Sequence, residues 1–221
     1  MKQLFGIILI MIAGFSSLLA NTAEYDRVIE SSNVLKRMLN LPENAIPPLL
    51  FQKAEAIAII PSSYKVGFIF GARYGNGLLS VKDENGVWGN PIFISLAGGS
   101  FGFQIGASQS DIVLAFKTKR SINGLISSKF TLGIDASIAA GPVGREASVA
   151  SDLFLESEVY TYALSKGFYA GLSLSGSSIM VDELANEHFY GEGASPTDIM
   201  NNYKIQVPAV VDRFKILFNG K

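Results

Sequence analysis

The 221-residue sequence contains no cysteine and a single histidine, His188. No disulfide or thiolate metal site can form, and the commonest zinc sets, which draw on cysteine or several histidines, are excluded. Neither sign of charge dominates, with eighteen basic against nineteen acidic residues. A chain without a basic field is a poor non-specific binder of nucleic acid. There is no Walker glycine-lysine-serine/threonine loop and no calcium loop of the EF-hand type, and Gly71, Gly75 and Gly77 have the wrong spacing for a dinucleotide fingerprint. Low-complexity tracts, fixed-period repeats and linkers rich in proline and serine are also missing. No cofactor is expected.

What is present begins with Met1 to Ala20: one lysine (Lys2), an apolar run from Leu4 to Ile12, then small residues ending at Ala20. This is the layout of a secretory signal, and the run is too short to span a bilayer comfortably. Removing it takes away Lys2 alone among the charged residues, leaving seventeen basic against nineteen acidic, a net charge of −2. Export without cysteine suits a bacterial periplasm or cell envelope. The remaining residues 21–221 are enough for one domain with a sizeable core.

After the signal comes an amphipathic helix, capped by Asn21 or Thr22, with Val28, Leu35, Met38 and Leu39 on its apolar side. Such a stripe packs on its own domain or lies on a membrane. Pro47 and Pro48 open a short helix through Lys53. Ala56–Pro61, "AIAIIP", reads as a fully buried strand with a proline stop. A period-two pattern follows: Val66, Phe68, Phe70, Ala72 and Tyr74 on one face, Gly67, Ile69 and Gly71 on the other. Gly75-Asn76-Gly77 and Asn85-Gly86 read as turns of a hairpin meander. Alternation resumes over Phe101–Ala107, Ile112–Phe116, Phe130–Ile138, Ala147–Leu155 and Phe168–Leu174, with one short helix near Ile122–Ile126. Ser195-Pro196-Thr197-Asp198 caps a helix. Pro208 starts a last one with Val210, Val211, Phe214 and Leu217 on its apolar face.

The alternation gives several strands one bulky face and one small face. Phe101, Phe103, Ile105 and Ala107 oppose Ser100, Gly102, Gln104 and Gly106. Glycine weakens a strand, so its repetition needs a reason, and close backbone approach or tight curvature supplies one. The expected fold is α+β: a β-rich, strongly curved antiparallel sheet or small barrel with flanking N- and C-terminal helices. Gly98-x-Ser100-x-Gly102 spells a nucleophile elbow, but an elbow needs a strand, a sharp turn and a helix. Period-two sequence follows Gly102, so the reading is non-enzymatic. Glu156 and Glu158 fall on one strand face and read as solvated. An outer-membrane barrel fits the alternation and export, but end helices and the buried "AIAII" strand argue against it.

These residues carry a resemblance. "KAEAIAIIPSSYKVGFIFGARYGNGLLSVKDENGVWGNPIFISLAGGSFGFQIG" resembles the first half of the SYLF domain. "LGIDASIAAGPVGREA" is similar to its glycine-proline-x-glycine-arginine centre, here Gly141, Pro142, Gly144 and Arg145, and "YTYALSKGFYAGLSLSGSSIMVD" and "ANEHFYG" to its second half. The resemblance runs from about Leu35 to Met200. It implies a β-rich domain with flanking helices, no catalysis, and binding of anionic lipids. It also implies phosphoinositide recognition in eukaryotic members and, in yeast endocytic proteins, actin binding. In an exported chain the expectation narrows to anionic phospholipid or a membrane surface, or to a structural domain with an unidentified protein partner.

Six cations are candidates for lipid contact. Lys117, Lys119 and Arg120 form the densest basic patch, at a strand end, or else a solvated loop. Arg145 offers a planar fork for phosphate or pairs internally with Asp135 or Asp152. Lys65 and Arg73 bracket a strand and read as its wet ends. The small-residue sheet face could instead leave a cleft for an acyl chain.

Overall fold

The computed structural model describes residues 22–40, 46–67, 70–101, 106–127, 129–141, 156–165, 168–169, 174–201, 205 and 207–219. The signal-like segment, Arg145, Asp152 and the expected strand Ala147–Leu155 lie outside these residues.

Residues 22–40 are helical, and we call this helix α1. Its stripe points inward: Val28, Val34, Leu35 and Met38 are buried in the main core. Packing on the domain wins, because burying each such side chain is worth about 1.5–3 kcal/mol. Helix α2 (Pro48–Lys53) starts at the expected proline pair. It leads into β1 (Ala56–Gly67), whose first residues, Ala56 to Pro61, are all buried.

β1 does not stop at Pro61. It kinks there: the register with its neighbours shifts around Ile60–Ser63, and Ser62 takes a left-handed φ of 54°. At this bulge no ladder bond is asked of proline, which has no N–H to give. β2 (Phe70–Val81) pairs antiparallel with β1, with Gly67 opposite Gly71. The chain therefore doubles back inside the run read as continuous alternation, and Gly75-Asn76-Gly77 lies within β2. A Cβ on Gly77 would collide with the Ile59 carbonyl oxygen, and one on Gly75 would sit 2.6 Å from Ile60 Cγ2. These two glycines let the bulged β1 lean over β2.

The Asn85-Gly86 turn is present, closed by the Lys82–Trp88 bridge, with Gly86 at φ 78°. β3 (Ile92–Phe101) and β4 (Gly106–Phe116) follow as separate strands. Helix α3 (Lys119–Ser127) comes next, then β5 (Phe130–Thr131) and β6 (Ile138–Ala140). The expected strand Phe130–Ile138 is broken at Gly133, which has φ 81°, and Ile134 is exposed in the turn. β7 (Val159–Ser165), β8 (Phe168–Tyr169) and β9 (Ser177–Val181) complete the strands. Helices α4 (Glu183–Tyr190), α5 (Pro196–Met200) and α6 (Ala209–Asn219) close the described chain. Ser195 caps α5 as expected, its hydroxyl accepting the Asp198 N–H.

The sheet is strongly curved, with the order β5-β9-β3-β2-β1-β4-β7-β6 and β8 paired to β7. The central order β3-β2-β1-β4 is that of a Greek key. All pairs are antiparallel except β6 with β7, a correction to the all-antiparallel expectation. Among the described residues no pairing joins β5 to β6.

One buried core runs from Val28 to Phe218. On one sheet face, Phe93 meets Arg27 of α1 and Phe189 and Tyr190 of α4. On the other, Phe116 meets Phe130, against which α3 packs at Gly124. Phe51, Trp88 and Phe218 stack where α2 and α6 meet the β2–β3 turn. At the end of the central strands that carries Ile57–Ile60, Leu78, Leu79 and Ile112–Phe116, both faces are thus buried, as in a domain core. The barrel reading would need one of those faces turned to lipid.

Candidate functional site

The five candidate cations within the described residues do not form one patch. β4 runs the length of the sheet, and Lys65 pairs with Ser108 near its start. Lys117, Lys119 and Arg120 lie just past its other end. At about 3.3 Å per residue the two groups are roughly 30 Å apart.

At the α3 end, Lys117 follows β4, and Lys119 and Arg120 occupy the exposed first turn of α3. Lys117 is thus at the strand end, as expected, while Lys119 and Arg120 begin a helix instead of a loop. The positive end of the helix dipole disfavours cations there, typically by about 0.3–1 kcal/mol each. Lys117 and Lys119 line a depression of about 640 Å³ together with two lysines that sequence reading missed, Lys53 and Lys82. These arrive from α2 and from the end of β2, segments far apart in the chain, so no local signal marks them. Glu55, Asp83 and Glu84 line the same depression. Lys82 is tied down: its ammonium donates to the Gln52 carbonyl at 2.6 Å and sits 4.7 Å from the Trp88 ring. Partial burial lowers its pKa, and the nearby Glu55 charge opposes that shift. Lys117 reaches toward the Tyr160 ring at 5.9 Å.

At the far end, Arg73 is not a wet strand end. It is 6 % exposed, and its Nη1 donates to Ser63 Oγ at 3.4 Å. Burial holds its pKa below the ordinary arginine value. Lys65 stands directly opposite it on β1 and is partly buried. On the reverse face of the same strands Tyr64, Val66 and Tyr74 are exposed by 55 %, 61 % and 55 %.

Ser100 lies in β3, opposite Gly71 of β2, and not at a strand-to-helix corner. His188, on the last turn of α4, stands 3.8 Å by its Nδ1 from Glu24 Oε1. Asp135 accepts the Thr131 N–H at 2.6 Å and so closes the turn at Gly133. Glu156 and Glu158 precede β7 instead of sharing a strand face. Glu158 accepts from Thr118 Oγ1 and the Ser137 N–H, both at 3.3 Å. Among the described residues, then, Ser100 sits within a strand instead of an elbow, and Glu156 and Glu158 do not share a strand face.

The family model described as "Ysc84: Las17-binding protein actin regulator" matches residues 97–218. Similar curated proteins include Protein YSC84 of Saccharomyces cerevisiae, 32 % identical over 173 residues, covering 77 % of this chain and 36 % of that protein. LAS seventeen-binding protein 3 of the same yeast is 33 % identical over 178 residues, covering 79 % of this chain and 39 % of the relative. Human SH3 domain-containing YSC84-like protein 1 is 32 % identical over 179 residues, covering 80 % and 52 %. The chain spans between about a third and a half of the length of these relatives.

Proposed function

The chain belongs to the Ysc84 (SYLF) family, and from that premise we propose that it is a non-catalytic domain that binds anionic phospholipid at a membrane surface. The observation that carries this reading is the convergence of Lys53, Lys82, Lys117 and Lys119 on one depression, with Arg120 exposed beside it. Cations held at the start of α3 against the helix dipole are better placed near an anionic surface than in water. Each basic residue near such a surface contributes about 1 kcal/mol, less at high salt. The acidic residues in the depression limit the attraction, so binding is weak and salt-sensitive. In this proposal Met1 to Ala20 is a cleaved export signal, residues 21–221 are a single domain, and the membrane is that of a bacterial cell envelope.

Co-sedimentation of the protein with phosphatidylglycerol vesicles, against phosphatidylcholine vesicles, tests the reading. Association with the former alone, lost at high salt, supports it; no association at low salt refutes it.

A second reading is a protein-docking domain. It is favoured by the exposed Tyr64, Val66 and Tyr74 face, by the family description, which names Las17 binding and actin regulation, and by the relative named for LAS seventeen binding. In that reading the docking element is this sheet face and not the stripe of α1, which is buried.

A further inference from the structure

The register places five residues in one row across five strands: Ser177 of β9, Gly98 of β3, Arg73 of β2, Lys65 of β1 and Ser108 of β4. Residues directly opposite in an antiparallel ladder point to the same face, and like charges so placed repel. Lys65 and Arg73 are such a pair. Arg73 is nine-tenths buried, yet the one side-chain hydrogen bond of its guanidinium among the described residues is the 3.4 Å contact with Ser63 Oγ. A guanidinium carries five N–H donors and no acceptor. Burying that charge without a counter-ion is strongly unfavourable, and no carboxylate among the described residues pairs with it.

The surroundings are small and rich in donors. Ser63 is fully buried, and Ser110, opposite it, and Ser177 are nearly so. Gly98 separates Arg73 from Ser177 without a side chain, and a Cβ there would collide with Ser177 Oγ. The Ser177 hydroxyl therefore lies over Gly98, on the row that leads to Arg73. A planar fork, an ammonium and hydroxyls on one sheet face match an oxyanion with several acceptor oxygens.

We propose that Arg73, with Lys65 opposite it and the Ser63 and Ser177 hydroxyls on the same sheet face, binds a phosphate-class anion, either free phosphate or the phosphate of a phospholipid headgroup. The site stands about 30 Å from the lysine-lined depression and does not depend on the membrane reading.

The test is titration of the intact, ¹⁵N-arginine-labelled protein, following the Arg73 Nε–H resonance by NMR, with chloride-matched ionic strength. One arm uses inorganic phosphate; the other uses dihexanoyl phosphatidylglycerol below its micelle concentration. A saturable shift at Arg73 with phosphate supports the free anion as ligand. A shift with the short-chain lipid alone supports the headgroup. In either case Arg73→Lys, which keeps the charge and loses the fork, weakens binding about tenfold. No saturable shift in either arm overturns the proposal, and so does undiminished binding by a folded Arg73→Lys variant. Charge reversal at Lys117, Lys119 and Arg120 leaves the Arg73 response intact even where it abolishes vesicle binding, so the two proposals can fail separately.

Discussion

Ser62 donates its backbone N–H to Asp111 Oδ1 at 2.9 Å, and this bond anchors the bulge at which β1 bends. The other Asp111 oxygen meets Arg37 Nη2 of α1 at 2.6 Å. One carboxylate thus holds the strained Ser62 backbone and ties α1 to the sheet. Asp111→Ala leaves the Ser62 N–H without its partner and is expected to cost about 2–3 kcal/mol. Asp111→Asn keeps an acceptor and loses only the ion pair with a mostly exposed arginine, at a cost of about 0–1 kcal/mol. Urea denaturation of the two variants measures the difference, and equal losses would show that the bulge does not depend on this bond.

Gly141 presses against a neighbouring ring: a Cβ there would overlap the Tyr162 side chain. Its N–H also donates to Thr161 O at 2.9 Å, so its backbone cannot easily retreat. Gly141→Ala is expected to destabilise by about 1–3 kcal/mol through overpacking. Tyr162→Ala alone should cost about 3–5 kcal/mol by leaving a cavity. The double variant should lose at least about 1 kcal/mol less than the sum, because the cavity receives the new methyl. Strict additivity in a denaturation cycle would remove this explanation for the glycine.

Trp88, the sole tryptophan, is 3 % exposed, with the Phe218 ring 4.6 Å away. Its fluorescence therefore reports on whether α6 is docked. Phe218→Ala should destabilise the protein by about 3–5 kcal/mol and shift Trp88 emission to the red. Unchanged emission in the folded variant would mean that α6 does not shield this ring.

Asp83 accepts the N–H groups of Val87 and Asn85, each at 2.8 Å. These bonds, that from Val87 foremost, hold its pKa below the ordinary aspartate value. A carboxyl with a depressed folded pKa contributes stability above its unfolded pKa, about 4. That contribution is lost as pH falls through the lower folded value. Asp83→Asn should therefore flatten the decline in stability below about pH 4. Urea midpoints measured across that range would be expected to converge at the acid end; parallel curves would contradict the assignment.

The helices were largely legible from single features. Val28, Leu35 and Met38 recur at helical spacing, Pro47 and Pro48 open α2, and Ser195 caps α5, because caps and stripes are local. The strands were less so. The reversal that sets Gly67 opposite Gly71 leaves the period-two pattern uninterrupted, so alternation alone cannot see it. Gly75-Asn76-Gly77 has turn composition because β1 leans over β2 there, a reason that lies on the neighbouring strand. Pro61 ends a regular ladder, but a bulge accommodates it and the strand continues. β7 and β9 were missed: β7 is buried at nearly every position, and β9 is a five-residue strand. The parallel β6–β7 pairing depends on chain connection, which local pattern does not encode. Arg73 was misjudged because its sequence neighbours alternate like an exposed strand, and its burial comes from long-range packing.

The most direct measurement for the membrane-surface reading is the affinity of the Lys117→Glu/Lys119→Glu/Arg120→Glu variant for phosphatidylglycerol vesicles at low salt. All three side chains sit at or before the exposed first turn of α3, so the fold and thermal midpoint should persist. The account predicts that binding falls about 100-fold or more while the midpoint stays put. Unchanged vesicle binding by the folded variant would contradict it.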